Sequence, residues 1–275
     1  MRILDKPFVF LFILYCPFLF GQKHENDWQK MNLRGKVKST SEYCYKAEDS
    51  LQLLKQNTKD YDIRVYSDNG YLLTQKVSDW ELHFRIFQYD KKDELILCTT
   101  ITEGDKVDEK FKYDVDGNEI ERDYIRNDTT EYEKNFTKNE KWGEIVTYNE
   151  KDANWSEIDS IKKDSAGNTS SFLYPYPNPT NKPYISKCRY DSKGNILEAL
   201  IYSKEYKPDS IEYFRFKYNK MGDQISSEFN TEQGSVVNET FIYKFDKIGN
   251  WTRREELNNG KLIKIYLREI TYYKD

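Results

Sequence analysis

Two histidines, four cysteines and 47 carboxylates are the raw material for chemistry in this 275-residue chain. His24 lies near the start and His83 stands alone, so neither has the oriented partner that general acid–base catalysis needs. A structural or surface role is expected for both. Cys16 falls in an apolar run near the start; Cys44, Cys98 and Cys188 match no zinc spacing. Three thiols allow at most one disulfide and leave one over, and packing as small apolar side chains is the simpler expectation. A glycosidase-like carboxylate pair needs a defined separation across a cleft, which spacing along the chain does not locate. Asp114, Asp116, Asn118 and Glu119 superficially resemble a calcium loop, but Gly117 falls at the wrong place for an EF-hand and no glutamate completes the set. No catalytic, metal or cofactor site is therefore expected.

One irregular stretch has the composition of a contact surface. Tyr174-Pro175-Tyr176-Pro177-Asn178-Pro179 is followed by Pro183 and Tyr184. Four prolines exclude a central strand and predict an extended loop. Tyr174, Tyr176 and Tyr184 are the expected binding residues, since loops carry function and tyrosine offers both a ring and a hydroxyl. The alternative is a rigid connector between hairpins. Trp80, Trp142, Trp155 and Trp251 have the chemistry to stack on sugars, but packing within a sheet is the commoner use.

The elements that must position these groups announce themselves as a repeat. Tyr113-Asp114-Val115-Asp116-Gly117-Asn118 recurs as Tyr190-Asp191-Ser192-Lys193-Gly194-Asn195 and as Phe245-Asp246-Lys247-Ile248-Gly249-Asn250. Weaker copies begin at Tyr66, Tyr89 and Tyr218, and degenerate ones at Phe136 and Lys163, so the steps are 23, 24, 23, 27, 27, 28 and 27 residues. In each unit the Asp caps a turn by accepting backbone amides, and the Gly supplies the left-handed conformation that closes a three-residue hairpin with a bulge. Asp114, Gly117, Asn118, Asp191, Gly194, Asn195, Asp246, Gly249 and Asn250 are thus expected as structural turn residues. Aromatics alternate on the entering strands, as in Phe214, Phe216 and Tyr218, so each set shares one face, while Lys112, Lys217 and Lys244 point the other way. A second turn ends each period, and the result is an antiparallel meander.

The motif resembles the YD repeat of the Rhs/YD-repeat family of bacterial surface and secreted proteins, over about residues 66–275. The opening Asn32-Leu33-Arg34-Gly35-Lys36-Val37-Lys38-Ser39 and closing Gly249-Asn250-Trp251-Thr252-Arg253-Arg254 look like the ends of small secreted members of uncharacterised function. The resemblance implies a long β-strip that curls into a spiral or shell, sometimes around a toxin. Eight frames are too few for such a shell, and no toxin payload follows the array.

The remaining constraints concern address and partners. Charge is −4, with 37% hydrophobic and 33% charged residues, 23 Tyr and 15 Phe. That is too aromatic for disorder, and a pI near 5.5 with interspersed signs leaves no basic footprint for nucleic acid. Arg2 and Lys6 precede an uncharged run over residues 8–20 that ends at Gly21, which reads as a secretory signal of residues 1–21. The run is short for a membrane span, and Tyr15 before Cys16 is bulky where a lipid-attachment site wants a small residue. Residues 22–62 are expected as a lead-in with a first strand and a short helix over 47–56, and residues 63–275 as the repeat array.

The sequence therefore predicts an all-β antiparallel hairpin meander of roughly sixteen strands, elongated or curled. An outer-membrane barrel is not expected, because residues 118–126 place charges on both faces where lipid contact requires an apolar band. The expected role is that of a non-enzymatic exported protein, periplasmic, outer-surface or secreted, binding carbohydrate or another surface protein. A hydrolase acting outside the cytoplasm through a carboxylate pair is the rival, and an accessory to a toxin system is a third.

Overall fold

The computed structural model describes residues 26–47, 60–78, 81–139, 143–150, 156–163, 169–174, 184–203, 212–230 and 235–274. After a single helical turn, α1 (Asp27–Lys30), every element is a strand. The first six are β1 (Val37–Lys46), β2 (Asp60–Tyr66), β3 (Leu72–Ser78), β4 (Leu82–Tyr89), β5 (Leu95–Ile101) and β6 (Lys106–Tyr113). There follow β7 (Glu119–Arg126), β8 (Thr129–Asn139), β9 (Gly143–Glu150), β10 (Ser156–Lys163), β11 (Thr169–Tyr174) and β12 (Tyr184–Tyr190). The last six are β13 (Ile196–Ser203), β14 (Glu212–Tyr218), β15 (Gln224–Asn230), β16 (Val236–Phe245), β17 (Trp251–Asn258) and β18 (Lys261–Tyr272).

Each strand pairs antiparallel with the next, as the hairpin pattern requires. The pairing also runs from β18 back to β1, with Thr40 opposite Ile270 and Cys44 opposite Tyr266. Eighteen strands thus close into a ring. Of the elongated and curled forms expected, the meander takes the curled one, and one expectation is corrected: eight repeat frames suffice to enclose an interior. The two strands outside the eight hairpin frames are β1, the expected first strand of the lead-in, and β18; no turn motif joins them, and they find each other only in space.

The repeat turns lie together on one rim, because all of them link an even-numbered strand to the next odd-numbered one. In the turn after β6, Asp114 Oδ1 accepts from the amides of Asp116 (2.9 Å) and Asn118 (2.8 Å). Asp191 does the same for Lys193 (2.8 Å) and Asn195 (2.9 Å), and Asp246 for Ile248, Gly249 and Asn250. Gly117, Gly194 and Gly249 have φ of 80°, 82° and 97°. A register shift falls just before each turn, between Lys112 and Tyr113, Lys217 and Tyr218, and Lys244 and Phe245, which is the bulge that a left-handed closing residue produces. Asp93 holds the left-handed position in the turn after β4, at φ 64°. The turns of the Phe136 and Lys163 frames lie outside the described residues.

Cross-strand partners carry one face round the ring: Phe87 opposite Cys98, Phe111 opposite Arg122, Phe214 opposite Phe229, Tyr243 opposite Arg254. This is the more buried face, holding Tyr66, Cys98, Phe111, Ala199, Phe214, Phe216 and Trp251. In a closed sheet the inward side chains are the crowded ones, so this face is the inside. Lys112, Lys217 and Lys244 are exposed on the other. The strand ends that residues 48–59, 175–183 and 204–211 connect lie on the rim opposite the repeat turns. Of the expected helix over 47–56, only Ala47 is within the described residues.

Candidate functional site

The inward face is not a plain apolar core. Tyrosine hydroxyls fasten neighbouring hairpins: Tyr113 donates to Leu95 O (2.9 Å), Tyr218 to Ile196 O (3.0 Å) and Tyr243 to Gln224 O (2.6 Å). Each acceptor is the first residue of the preceding return strand. Tyrosine rather than phenylalanine at these positions therefore has a structural reason, and burial pushes the Tyr218 and Tyr243 hydroxyls up to about 12.

Between the rings lie guanidinium groups. Arg268 stacks over Trp251 at 3.4 Å from the ring centre, and Arg254 over Tyr266 at 3.9 Å. Glu42 accepts from Arg268 Nη2 at 2.9 Å and stands 3.8 Å from Arg254. Burial pulls Arg268 below the usual arginine range, against the opposing pull of Glu42. On the far side of the ring, Arg122 covers Phe111 at 4.5 Å and grips Glu119 with two hydrogen bonds of 2.7 and 2.8 Å. Such fork-to-fork pairs fix geometry as well as charge, and aromatic faces favour the weakly hydrated guanidinium.

Most described inward carboxylates are engaged in this way. Asp62 accepts from Arg64 (2.5 Å) and Gln75 (3.1 Å), and Glu256 from the Tyr266 hydroxyl (2.8 Å). Glu239 differs. Burial raises its carboxyl above the usual range, opposed by a 2.6 Å hydrogen bond from Ser227 and reinforced by the charge of Glu256. Glu239 lies opposite Asn258 and Glu256 opposite Phe241, so the two carboxylates are diagonal neighbours on one face.

The exposed face of β12–β16 is hollowed into a concavity of about 480 Å³, with Arg189, Glu198, Arg215, Glu228, Asn238 and Thr240 among its lining. Arg215 bridges Glu198 at 3.2 Å and Glu228 at 3.1 Å across three strands and lies over the Tyr213 ring.

The rim of repeat turns is closed over by residues 26–36. Asn26 caps α1 reciprocally with Gln29 and donates to Asn69 O (2.8 Å). Asp27 accepts from the Leu72 amide (2.7 Å) and the Tyr89 hydroxyl (3.0 Å). Asn32 donates to Asp223 (2.9 Å), and Arg34 to Met221 O (2.6 Å) and Gly249 O. Asn250, 1% exposed, accepts from the Arg34 amide at 2.7 Å and donates to the Arg34 carbonyl at 2.7 Å. The two end motifs of the sequence, 32–39 and 249–254, therefore meet. Beneath them Leu33, Val37 and Tyr66 form a buried cluster with Trp28, Leu72, Ile270 and Tyr272.

Of the residues expected to bind, Tyr174 and Tyr184 are cross-strand partners at the ends of β11 and β12, and Tyr176 lies outside the described residues. The nine turn residues fall in three turns of one rim, and those of the last turn reach beyond it: Asn250 and Gly249 to Arg34, and Asp246 to Tyr272. No disulfide joins Cys44, Cys98 and Cys188, which sit on β1, β5 and β12; burial pushes the Cys98 thiol up to about 11. His83 lies opposite Val77 on β3. Among the described residues no group of three His, Cys, Asp or Glu side chains is placed to hold a metal, and no helix is long and apolar enough to cross a membrane. Sequence reasoning missed Arg215, Glu239 and the closure by residues 26–36. Charge alternation gave no hint of the first two, but the Asn32–Arg34 motif was visible.

No family model and no curated protein matches this chain. Among solved structures, a porin-like protein from Bacteroides uniformis is 8% identical, with 86% of this chain and 99% of that one covered and a TM-score of 0.43. A porin-like protein from Bacteroides vulgatus is 12% identical over 87% of this chain and 99% of that one, with a TM-score of 0.40. The TcdB2-TccC3 toxin structure without its hypervariable C-terminal region is 9% identical over 83% of this chain but 13% of that one, at a TM-score of 0.34. These are likenesses of repetitive β-structure and carry nothing about activity.

Proposed function

We propose that this is a small exported YD-repeat protein that binds a carbohydrate or protein partner without catalysis, in the periplasm, on the outer surface or outside the cell. One observation carries the reading: the exposed hollow on β12–β16 is lined by ion pairs that bridge strands, with Arg215 between Glu198 and Glu228. Forked donors and acceptors gathered on one concave surface suit a polyhydroxylated or polar partner. Closure of the ring leaves no free edge among the described strands, so a partner there meets side chains rather than adding a strand. The exposed face carries Lys112 beside Glu121 and Asp123, and Arg253 beside Glu255. That is poorly suited to lipid contact and supports a protein working in water.

The test is a glycan and surface-protein binding screen with purified mature chain, followed by Arg215→Ala, Glu228→Ala and a Tyr174/Tyr176/Tyr184 triple alanine variant. Loss of binding in the first two with β-sheet circular dichroism intact supports the hollow, and loss in the third alone moves the site to the Tyr-Pro loop. Binding indifferent to all three overturns both placements. Intact mass of the exported protein, expected to begin at Gln22 without lipid, checks the address.

The Glu239–Glu256 pair favours a second reading, an extracytoplasmic hydrolase with Glu239, whose carboxyl burial raises, as the general acid. Turnover of a polysaccharide or peptide that Glu239→Gln abolishes without unfolding would replace the binding role with this one.

A further inference from the structure

Residues 26–36 tie together hairpin tips that the ring holds far apart. Their bonds run from Met221 and Asp223, after β14, to Leu72 on β3 and Tyr89 on β4. Counting β14 to β18 and β1 to β4, they bracket nine of the eighteen strands. The tip at Gly70 and the tip at Asp223 are six strand spacings apart, roughly 29 Å along the sheet. Trp28 bonds to the first and Asn32 to the second, and four residues reach at most about 14 Å. Residues 28–32 therefore cut across the mouth rather than follow the rim.

The fastening is strong in number but shallow in kind. None of its bonds belongs to a β-ladder. No residue of α1 is buried, and Leu33 at 8% exposure is the main apolar anchor among residues 26–36. The ring beneath is held by pairings that residues 26–36 do not contribute to. A segment with few buried contacts over a cooperative sheet opens locally at lower cost than the sheet itself. Its departure would uncover Tyr66, Leu72, Ile270 and Tyr272.

We propose that residues 26–36 form a releasable strap over the repeat-turn mouth, latched by the Arg34–Asn250 pair, and that this strap controls access to the inward face from that end. Asn250 is the latch because it holds both the amide and the carbonyl of Arg34, while Gly249 O and Met221 O take the guanidinium. The turn that Asn250 ends stays capped by Asp246 whether or not the strap is seated.

Hydrogen exchange followed by mass spectrometry on the full mature chain tests this. In the wild type, amides of residues 28–37 should exchange well ahead of those in β6 and β7. In Asn250→Ala they should accelerate by about tenfold or more, with Trp28 emission shifting to the red and β6–β7 protection unchanged. Asn32→Ala, which removes the bond to Asp223 and a longer one from Arg34 but leaves the Arg34–Asn250 pair, should accelerate the same segment less. Wild-type exchange of residues 28–37 as slow as that of β6 and β7 would show that the segment opens only with the ring, and would overturn the strap. Acceleration spread evenly round the ring in Asn32→Ala would overturn it too, whether or not Asn250→Ala folds.

Discussion

The turns at 191–195 and 246–250 share a motif, yet their final asparagines do different work. In the first, Asn195 Nδ2 donates back to Asp191 Oδ2 at 2.8 Å, and the turn is complete in itself. In the second, Asn250 turns its amide to the Arg34 carbonyl and to the Tyr272 hydroxyl (2.9 Å), and Tyr272 donates to Asp246 in its place. The backbone caps and the glycine conformation are alike in both. The hairpin is therefore held by its Asp and Gly, and the asparagine side chain is free to be used elsewhere. The turn at 219–223 makes the same point with the types exchanged: Asn219 does the capping (2.8 Å to Met221 N), and Asp223 reaches residue 32.

The comparison breaks most visibly at the two asparagines. Asn250→Ala should cost about 2–4 kcal/mol, since two backbone groups of Arg34 lose their partners in a half-buried place, whereas Asn195→Ala should cost about 1 kcal/mol. Urea denaturation of the two variants measures the gap; equal losses would mean that Asn250 is only a turn residue. The glycines come next. A β-branched residue in the left-handed region costs about 1–2 kcal/mol, so Gly194→Val should lose that much. Gly249→Val should lose more, because a Cβ there meets Met221 Cε at 3.1 Å and Arg34 Cδ at 3.3 Å. Gly70→Ala probes the other end of the strap, where a Cβ would stand 2.6 Å from the Trp28 ring, and should loosen residues 26–30 before it affects β2 or β3.

The smallest effect is in acid. Burial pushes the Asp191 carboxyl up, but the Asn195 and Lys193 donors outweigh it and hold it below the usual carboxylate range. Asp246 is likewise held low, by the Tyr272 hydroxyl and three backbone amides against burial. A group depressed on folding stabilises fully above its unfolded value, near 4, and loses that contribution as pH falls through the lower folded value. Stability should thus decline below about pH 4, and Asp246→Asn and Asp191→Asn should each flatten the decline. Asn219 already shows that an amide can cap this turn.

How far the sequence discloses this molecule depends on the range of each interaction. Hairpins, turn caps and the aromatic face are local, and the Asp-x-x-Gly spacing and period-two aromatics state them openly. The inward arginines are not legible. Glu121, Arg122 and Asp123 are charged in succession, so polarity marks no face, and Arg122 is buried because Phe111 and Glu119 meet it from elsewhere. Ring closure is hidden for the same reason. β1 and β18 have no turn between them, and their match rests on pairs such as Glu42 with Arg268. The helix at 27–30 escapes because a single capped turn has no periodicity to detect.

Closure of the ring also sets the order in which the chain can be completed. Thr40 pairs with Ile270, a separation of 230 residues, while nearly every other strand pair is joined by a short connection. Contacts so distant in sequence are slow to form, because the loop entropy is lost before the pairing compensates for it. Until β18 emerges, β1 has one partner and presents a bare row of amides and carbonyls, the kind of edge that recruits other chains. The last strand made is the one that shields the first, so a chain truncated before Lys261 should aggregate during refolding, although most of its hairpins remain able to form.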